Sequence, residues 1–181
     1  SIPWSFFCIV PPGLSDMAFE EFLQKRHLFG ASDALPQKSP QGLEVTLPWE
    51  VGTRMLQVLK IPTRIIVRLE KIQARDFPKI YQKCAQLPWQ KWLAHPEPVW
   101  KISANQCRLM HTGRLEETFR DALKEAHRQR PFPERYKKEN IQPETLYVRG
   151  DNDEWTISLD ISGEPLYKRG SSIIKGEAPI R

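Results

Sequence analysis

Within seven positions the chain places Arg108, His111, Thr112 and Arg114, four side chains that can donate to a phosphate oxygen. Before them, Val99 to Ala104 reads as a strand that includes Lys101. After them, a helix opens at Gly113 or Arg114, with Leu115, Phe119, Ala122, Leu123 and Ala126 on one stripe. A basic loop that feeds a helix N-terminus offers an anion both side-chain donors and unpaired backbone N–H groups. Two further basic stretches flank this one. Lys60, Arg64, Arg68, Lys71 and Arg75 stand against the single acid Glu70, and Lys168, Arg169, Lys175 and Arg181 against Glu164 and Glu177. From Lys101 to Lys138 ten Lys/Arg face five acids, although much of 114–130 reads as a solvated helix face with Glu–Lys pairing. Such patches attract phosphates and release counterions.

Other chemistries find little support. There is no GxxxxGK[ST] phosphate loop, no GxGxxG, no HExxH and no GxSxG. His27, His95, His111 and His127 are scattered without a metal-ligand partner one helical turn away, so no metal and no catalytic residue is assigned. Asp151 and Asp153 fall in a turn sequence, which accounts for them. The cysteines Cys8, Cys84 and Cys107 form no CxxC pair and read as reduced, buried thiols of a cytoplasmic protein. No apolar run reaches the roughly 20 residues of a membrane span. The start, Ser1-Ile2-Pro3-Trp4, carries no charged leader. A net charge of +5 permits a polyanionic partner, and a hydrophobic fraction of 40% with six Trp and eight Phe predicts a folded core.

Residues 6–10 form a buried strand that ends at Pro11-Pro12-Gly13. A helix follows over 14–27, a loop over 30–42, a strand over 43–47, a short helix over 49–59 and a strand over 63–72 with Ile65, Val67 and Leu69 on one face. This β, α, β, α, β order suits a small α+β unit of ferredoxin-like type. Asp76 caps a helix to about Leu87, and 88–93 is an aromatic turn. The long helix ends at Arg130-Pro131-Phe132-Pro133. Strands at 145–148 and 155–161 flank the turn 150–153, and Leu166-Tyr167-Lys168 is a last strand segment.

Four sequence runs resemble one family, the THUMP-containing RNA methyltransferases. Ser103-Ala104-Asn105-Gln106-Cys107-Arg108-Leu109-Met110-His111-Thr112-Gly113-Arg114 is similar to the S-x-x-S-x-L-x-H-T core of THUMP domains. Leu159-Asp160-Ile161-Ser162-Gly163 through Arg169-Gly170 is similar to the closing L-D-x-S-G-x-x-L-x-x-R-G. Glu177-Ala178-Pro179-Ile180-Arg181 resembles the lead into a methyltransferase domain. Thr63 to Leu69 with Ala74-Arg75-Asp76-Phe77 resembles the junction between a ferredoxin-like domain and THUMP. In order and at fitting spacing, these cover most of residues 43–181.

The resemblance implies a ferredoxin-like N-terminal module over 1–60, a THUMP-type α/β RNA-binding domain over 61–170, and a tail over 171–181 that leads toward a methyltransferase domain absent from this chain. It implies structured RNA as partner, rRNA or tRNA, beside the absence of membrane and metal already expected from the sequence. The relatives methylate guanine N2 in 23S rRNA and, more distantly, guanine in tRNA. Their S-adenosylmethionine belongs to the missing domain. The implied RNA-binding residues are Arg108, His111, Thr112, Arg114, Lys168 and Arg169, joined from the charge pattern by Lys101, Arg64 and Arg68. Cys107 stands where the family commonly has a second Ser, and Ser171-Ser172 where an aromatic residue and Arg are usual. The rival reading is a stand-alone THUMP-like RNA-binding protein or protein-interaction adaptor with no associated methyltransferase, Trp89, Trp92 and Trp100 being the adaptor's contact.

Overall fold

In the computed structural model, residues 2–163 are described. The expected strand segment at 166–168 and the cations Lys168 and Arg169 lie outside them. Backbone contacts divide the chain into two compact units, one of residues 2–68 with 160–163 and the other of residues 69–159.

The first unit runs β1 (Pro3–Ile9), α1 (Ser15–Lys25), a 3-10 turn (Arg26–Phe29), β2 (Gln37–Ser39), β3 (Gly42–Pro48), α2 (Trp49–Val58) and the start of β4 (Arg64–Gln73). Its strands lie in the order β2-β3-β1-β4, and all three pairings are antiparallel. Strand alternation sorts the side chains. Trp4, Phe6 and Cys8 of β1 register with Leu47, Val45 and Leu43 of β3, and Phe6 and Cys8 also with Val67 and Ile65 of β4. All eight are buried on one face, where Phe22, Phe29 and Met55 join them. α1 packs against β2 and β3, and α2 against β1 and β3. Gly52 lets α2 approach so closely that a Cβ there would lie 2.2 Å from the Phe6 ring. Buried Glu21 ties α1 to the link after α2, accepting the amides of Lys60 at 2.8 Å and Ile61 at 3.1 Å as well as Lys25 Nζ at 2.7 Å.

Two elements differ from the sequence expectation here. β2 forms within the expected loop 30–42, a polar three-residue edge strand with no apolar alternation to reveal it. The helix expected over 14–27 closes as a 3-10 turn, ended by Gly30 at φ 83°.

The second unit contains the rest of β4, then α3 (Phe77–Ala85), α4 (Trp89–Trp92), β5 (Val99–Asn105), α5 (Thr112–Gln129), α6 (Arg135–Lys138), β6 (Thr145–Asp151) and β7 (Glu154–Asp160). Its strand order is β4-β7-β6-β5. β5 and β6 are parallel, joined by the α5 crossover, while β6 and β7 form an antiparallel hairpin. The turn residues Asn152 and Asp153 both have positive φ, 52° and 63°, as a two-residue type I′ hairpin turn requires. Trp100, Phe119 and Trp155 form a ladder of rings 5.6 and 6.3 Å apart, and Trp89 sets its edge on Trp92 and Trp100. Gly150, opposite Trp155, leaves room for that indole; a Cβ would meet it at 2.3 Å. Buried Glu144 accepts the amides of Ala94 and His95, at 2.6 and 3.2 Å, and so fastens the Pro-rich loop after α4. The aromatic turn expected at 88–93 is a short helix whose two Trp, with Trp100, are at most 6% exposed. These rings are core, because each indole finds apolar neighbours, and they form no exposed aromatic patch.

Candidate functional site

The segment from β5 into α5 belongs to the second unit, where three chain segments meet around one carboxylate. Asp153, in the hairpin turn, accepts the Arg108 amide on Oδ1 at 2.7 Å and pairs with Arg75 Nε through Oδ2 at 3.3 Å. Its backbone carbonyl accepts the Ala74 amide at 3.0 Å, and its own amide donates to Cys107 Sγ at 3.4 Å. The β5–α5 loop, the β4–α3 link and the β6–β7 turn are thereby held together. Gln106 turns the chain out of β5 with a positive φ of 52°. Cys107 is buried, and its thiol also donates to the Asn105 carbonyl at 3.4 Å. Cys107 thus braces the loop.

α5 begins with a histidine cap. His111 Nδ1 accepts the Arg114 amide at 3.0 Å, and the His111 carbonyl accepts the Leu115 amide at 3.0 Å. Because Nδ1 is an acceptor, the proton of the neutral ring sits on Nε2, which remains its donor. The amides of Thr112 and Gly113, two of the helix's unshared N–H groups, have no acceptor among the described residues. The Arg114 guanidinium lies 4.4 Å from the centroid of Phe77, the first residue of α3. Asp76 caps that helix by accepting the Lys79 amide at 2.8 Å, as its sequence position predicts.

The sequence-derived residues therefore divide. Arg108, His111, Thr112 and Arg114 are exposed and share the loop and first turn of α5. Lys101 is exposed on β5, on the face turned away from the core residue Trp100, and registers with Tyr147. Arg64 and Arg68 belong to the first unit. Arg64 is 3.8 Å from buried Asp160. Arg68 pairs with Glu44 at 3.2 Å and lies over the Phe7 ring at 4.6 Å, while Ser5 donates to the same carboxylate. Lys168 and Arg169 fall outside the described residues. Sequence reasoning did not single out Arg75, which Asp153 brings to the Arg108 backbone with 70% of its side chain exposed. Its signal was its place in the Lys60–Arg75 cluster, but only the fold links it to residue 108.

The site has the character of a receptor for anions. Asp153 pairs with the Arg75 guanidinium and accepts the Arg108 amide, while Arg114 lies in the first turn of α5, beside its unshared N–H groups. Among the described residues no group of His, Cys, Asp and Glu could hold a metal ion, and no helix is long and apolar enough to cross a membrane.

No family model matches the chain. It is 27% identical over 154 residues to a ribosomal RNA large subunit methyltransferase K/L from Psychromonas ingrahamii, covering 81% of this chain and 20% of the relative. It is 28% identical over 159 residues to the protein of the same name from Magnetococcus marinus, covering 84% and 21%. The chain thus spans about a fifth of the length of these curated relatives. Two solved structures share its fold. One, from Clostridium difficile 630, is described as "a possible methylase" (TM-score 0.65, 16% identity, 93% of this chain and 44% of that one). The other, from Listeria monocytogenes, is described as "a predicted N6-adenine-specific DNA methylase" (TM-score 0.62, 19% identity, 98% and 45%). In sequence the chain is similar to rRNA methyltransferases, and in its mixed α/β fold to part of methylase chains.

Proposed function

We propose that this chain is the RNA-docking region of an S-adenosylmethionine-dependent RNA methyltransferase acting on rRNA or tRNA in the cytoplasm. The first unit, with its βαββαβ order and antiparallel sheet, is the ferredoxin-like module. The second is the THUMP-type domain. The observation that carries the reading is the Asp153-braced loop, which ties Arg75 to the Arg108 backbone just before the capped start of α5, where Arg114 stands. Backbone N–H groups and guanidinium forks recognise phosphate without reading a base, which suits docking by shape and charge. Lys101, Thr112 and His111 Nε2 extend the donor set. Arg64, Arg68, Lys168 and Arg169 are its proposed outer contacts, with Arg68 acting from its position between Glu44 and Phe7.

Methyl transfer is assigned to the rest of such an enzyme. The strand–loop–helix turn of this chain has no glycine between Gln106 and His111, so it does not fit a cofactor loop, and no residue here is assigned to S-adenosylmethionine.

The test is a titration against rRNA fragments and total tRNA across a salt series. Arg108→Glu and Arg114→Glu are compared with wild type, and a second variant adds Lys168→Glu and Arg169→Glu. Affinity is expected to fall by about 0.7 log units per log unit of salt for each phosphate contacted on single strands. It is expected to collapse in the reversed chains while their melting temperatures hold. Affinity that ignores both salt and the reversals overturns the reading.

A further inference from the structure

α5 has 18 residues, so at 1.5 Å per residue roughly 27 Å separate its two ends. At the end away from His111 a groove of about 330 Å³ opens, walled by Leu87, Pro88, Trp89, Ala126 and Phe132. We infer that this groove docks an acidic peptide segment of a partner protein, one apolar side chain seated on Leu87 and Pro88 and its flanking carboxylates on Arg130. The inference is independent of the RNA reading.

Three observations carry it. The volume lies in the range of ligand-binding clefts, and the walls are apolar with polar groups at few points. The walls are also fixed in advance. Gln90 Nε2 donates to the carbonyls of Arg130 at 2.5 Å and Pro131 at 3.2 Å, and the Phe132 amide donates to His127 Nδ1 at 3.0 Å. Trp89 Nε1 donates to the Cys84 carbonyl at 2.8 Å. A preformed groove avoids the ordering cost that weakens a floppy one.

The third observation is charge. Lys91 and Arg130 are its charged lining residues, and no carboxylate lines it. The nearby cations are paired on their own helices: Arg128 with Glu125, Arg135 with Glu139 and Lys137 with Glu134. Arg130 has no ion pair among the described residues, and its side chain is exposed. An apolar anchor flanked by carboxylates complements such a groove. A nucleobase would bring polar edges against walls that present carbon.

The experiment pans a random twelve-residue peptide display library on the full chain and measures recovered peptides by fluorescence anisotropy. Enriched sequences should carry Leu, Ile, Phe or Trp beside Asp or Glu. Their affinity should fall at least tenfold in Arg130→Glu, recover largely in Arg130→Lys, and fall again when the apolar anchor becomes Ser. Because Arg130 is exposed and unpaired, both variants should melt with wild type. No enrichment, enrichment without acidic residues, or binding indifferent to Arg130→Glu overturns the inference. So does an Arg130→Glu chain that keeps its peptides but loses affinity for an rRNA fragment, which would give the rim to nucleic acid.

Discussion

Asp153 makes four contacts from a backbone conformation that most side chains avoid, at φ 63°. Replacing it with Ala strands the Arg108 amide, frees Arg75 and keeps the positive φ without the local polar compensation that Asp supplies. Asp153→Ala is expected to cost about 2–3 kcal/mol in urea unfolding, and Asp153→Asn clearly less, because Asn keeps an acceptor and tolerates the turn. An Asn loss as large as the Ala loss would make the ion pair to Arg75, and not the amide bond, the important contact. At the same scale, burial pushes the Cys8 thiol up to about 12, with the carboxylates of Glu21 and Glu44 adding to it, and burial also raises Cys84. Neither forms thiolate near neutral pH. Ellman's reagent should therefore find both unreactive in the native chain and reactive once it unfolds; labelling of Cys8 or Cys84 under native conditions would contradict their burial.

α5 shows what a sequence can and cannot announce. Its apolar stripe, Leu115, Phe119, Ala122, Leu123 and Ala126, has the helical period, and all five residues are buried. The stripe needed no tertiary information to be read. The brace at its entrance did, since Arg108 and Asp153 are 45 residues apart and Asp153 alone reads as a turn former. β2 and α6 escaped notice for a different reason: each is three or four polar residues long and held by neighbours, without a period of its own. The histidine cap separates two roles that sequence left joined. His111→Ala should destabilise the chain by about 1 kcal/mol through loss of the cap. His111→Asn should restore the melting temperature, because Asn caps well, yet leave RNA affinity reduced by loss of the Nε2 donor. If His111→Asn binds RNA as wild type does, His111 serves the helix alone.

At the scale of the whole chain, acid acts on the two units in sequence. In the second, burial holds the His95 imidazole below its ordinary value, the Glu97 charge opposing without prevailing. The fold thus prefers the neutral ring. Its contribution is complete above the unfolded value of roughly 6.5 and declines as pH falls below that. In the first unit, burial works to raise Glu21, but Lys25 and the amides of Lys60 and Ile61 outweigh it and hold the carboxyl below the usual range. That contribution is complete above the unfolded value of roughly 4.3 and is lost as pH falls through the lower folded one. Between pH 7 and 5, amide protection factors, corrected for the slower intrinsic exchange at lower pH, should fall in the second unit while the first unit's hold, and His95→Gln should abolish the difference. Below pH 4 the first unit should follow, and Glu21→Gln should flatten that limb.

The first unit is not contiguous in sequence. Ser162 Oγ donates to the Ile65 carbonyl and accepts the Ile65 amide across a separation of 97 residues, and the Ile161 amide donates to the same carbonyl. During translation, then, the amino-terminal unit is begun first but completed last. At about 5–20 residues per second, β4 waits roughly 5–20 s for these partners to be synthesised. The intervening sequence 69–159 is synthesised before residues 160–163, which complete the first unit. A chain truncated after Leu159 should accordingly protect the second unit's amides and leave that of Ile65 open. Circular permutation that joins 160–163 directly to the amino-terminal unit would remove the wait.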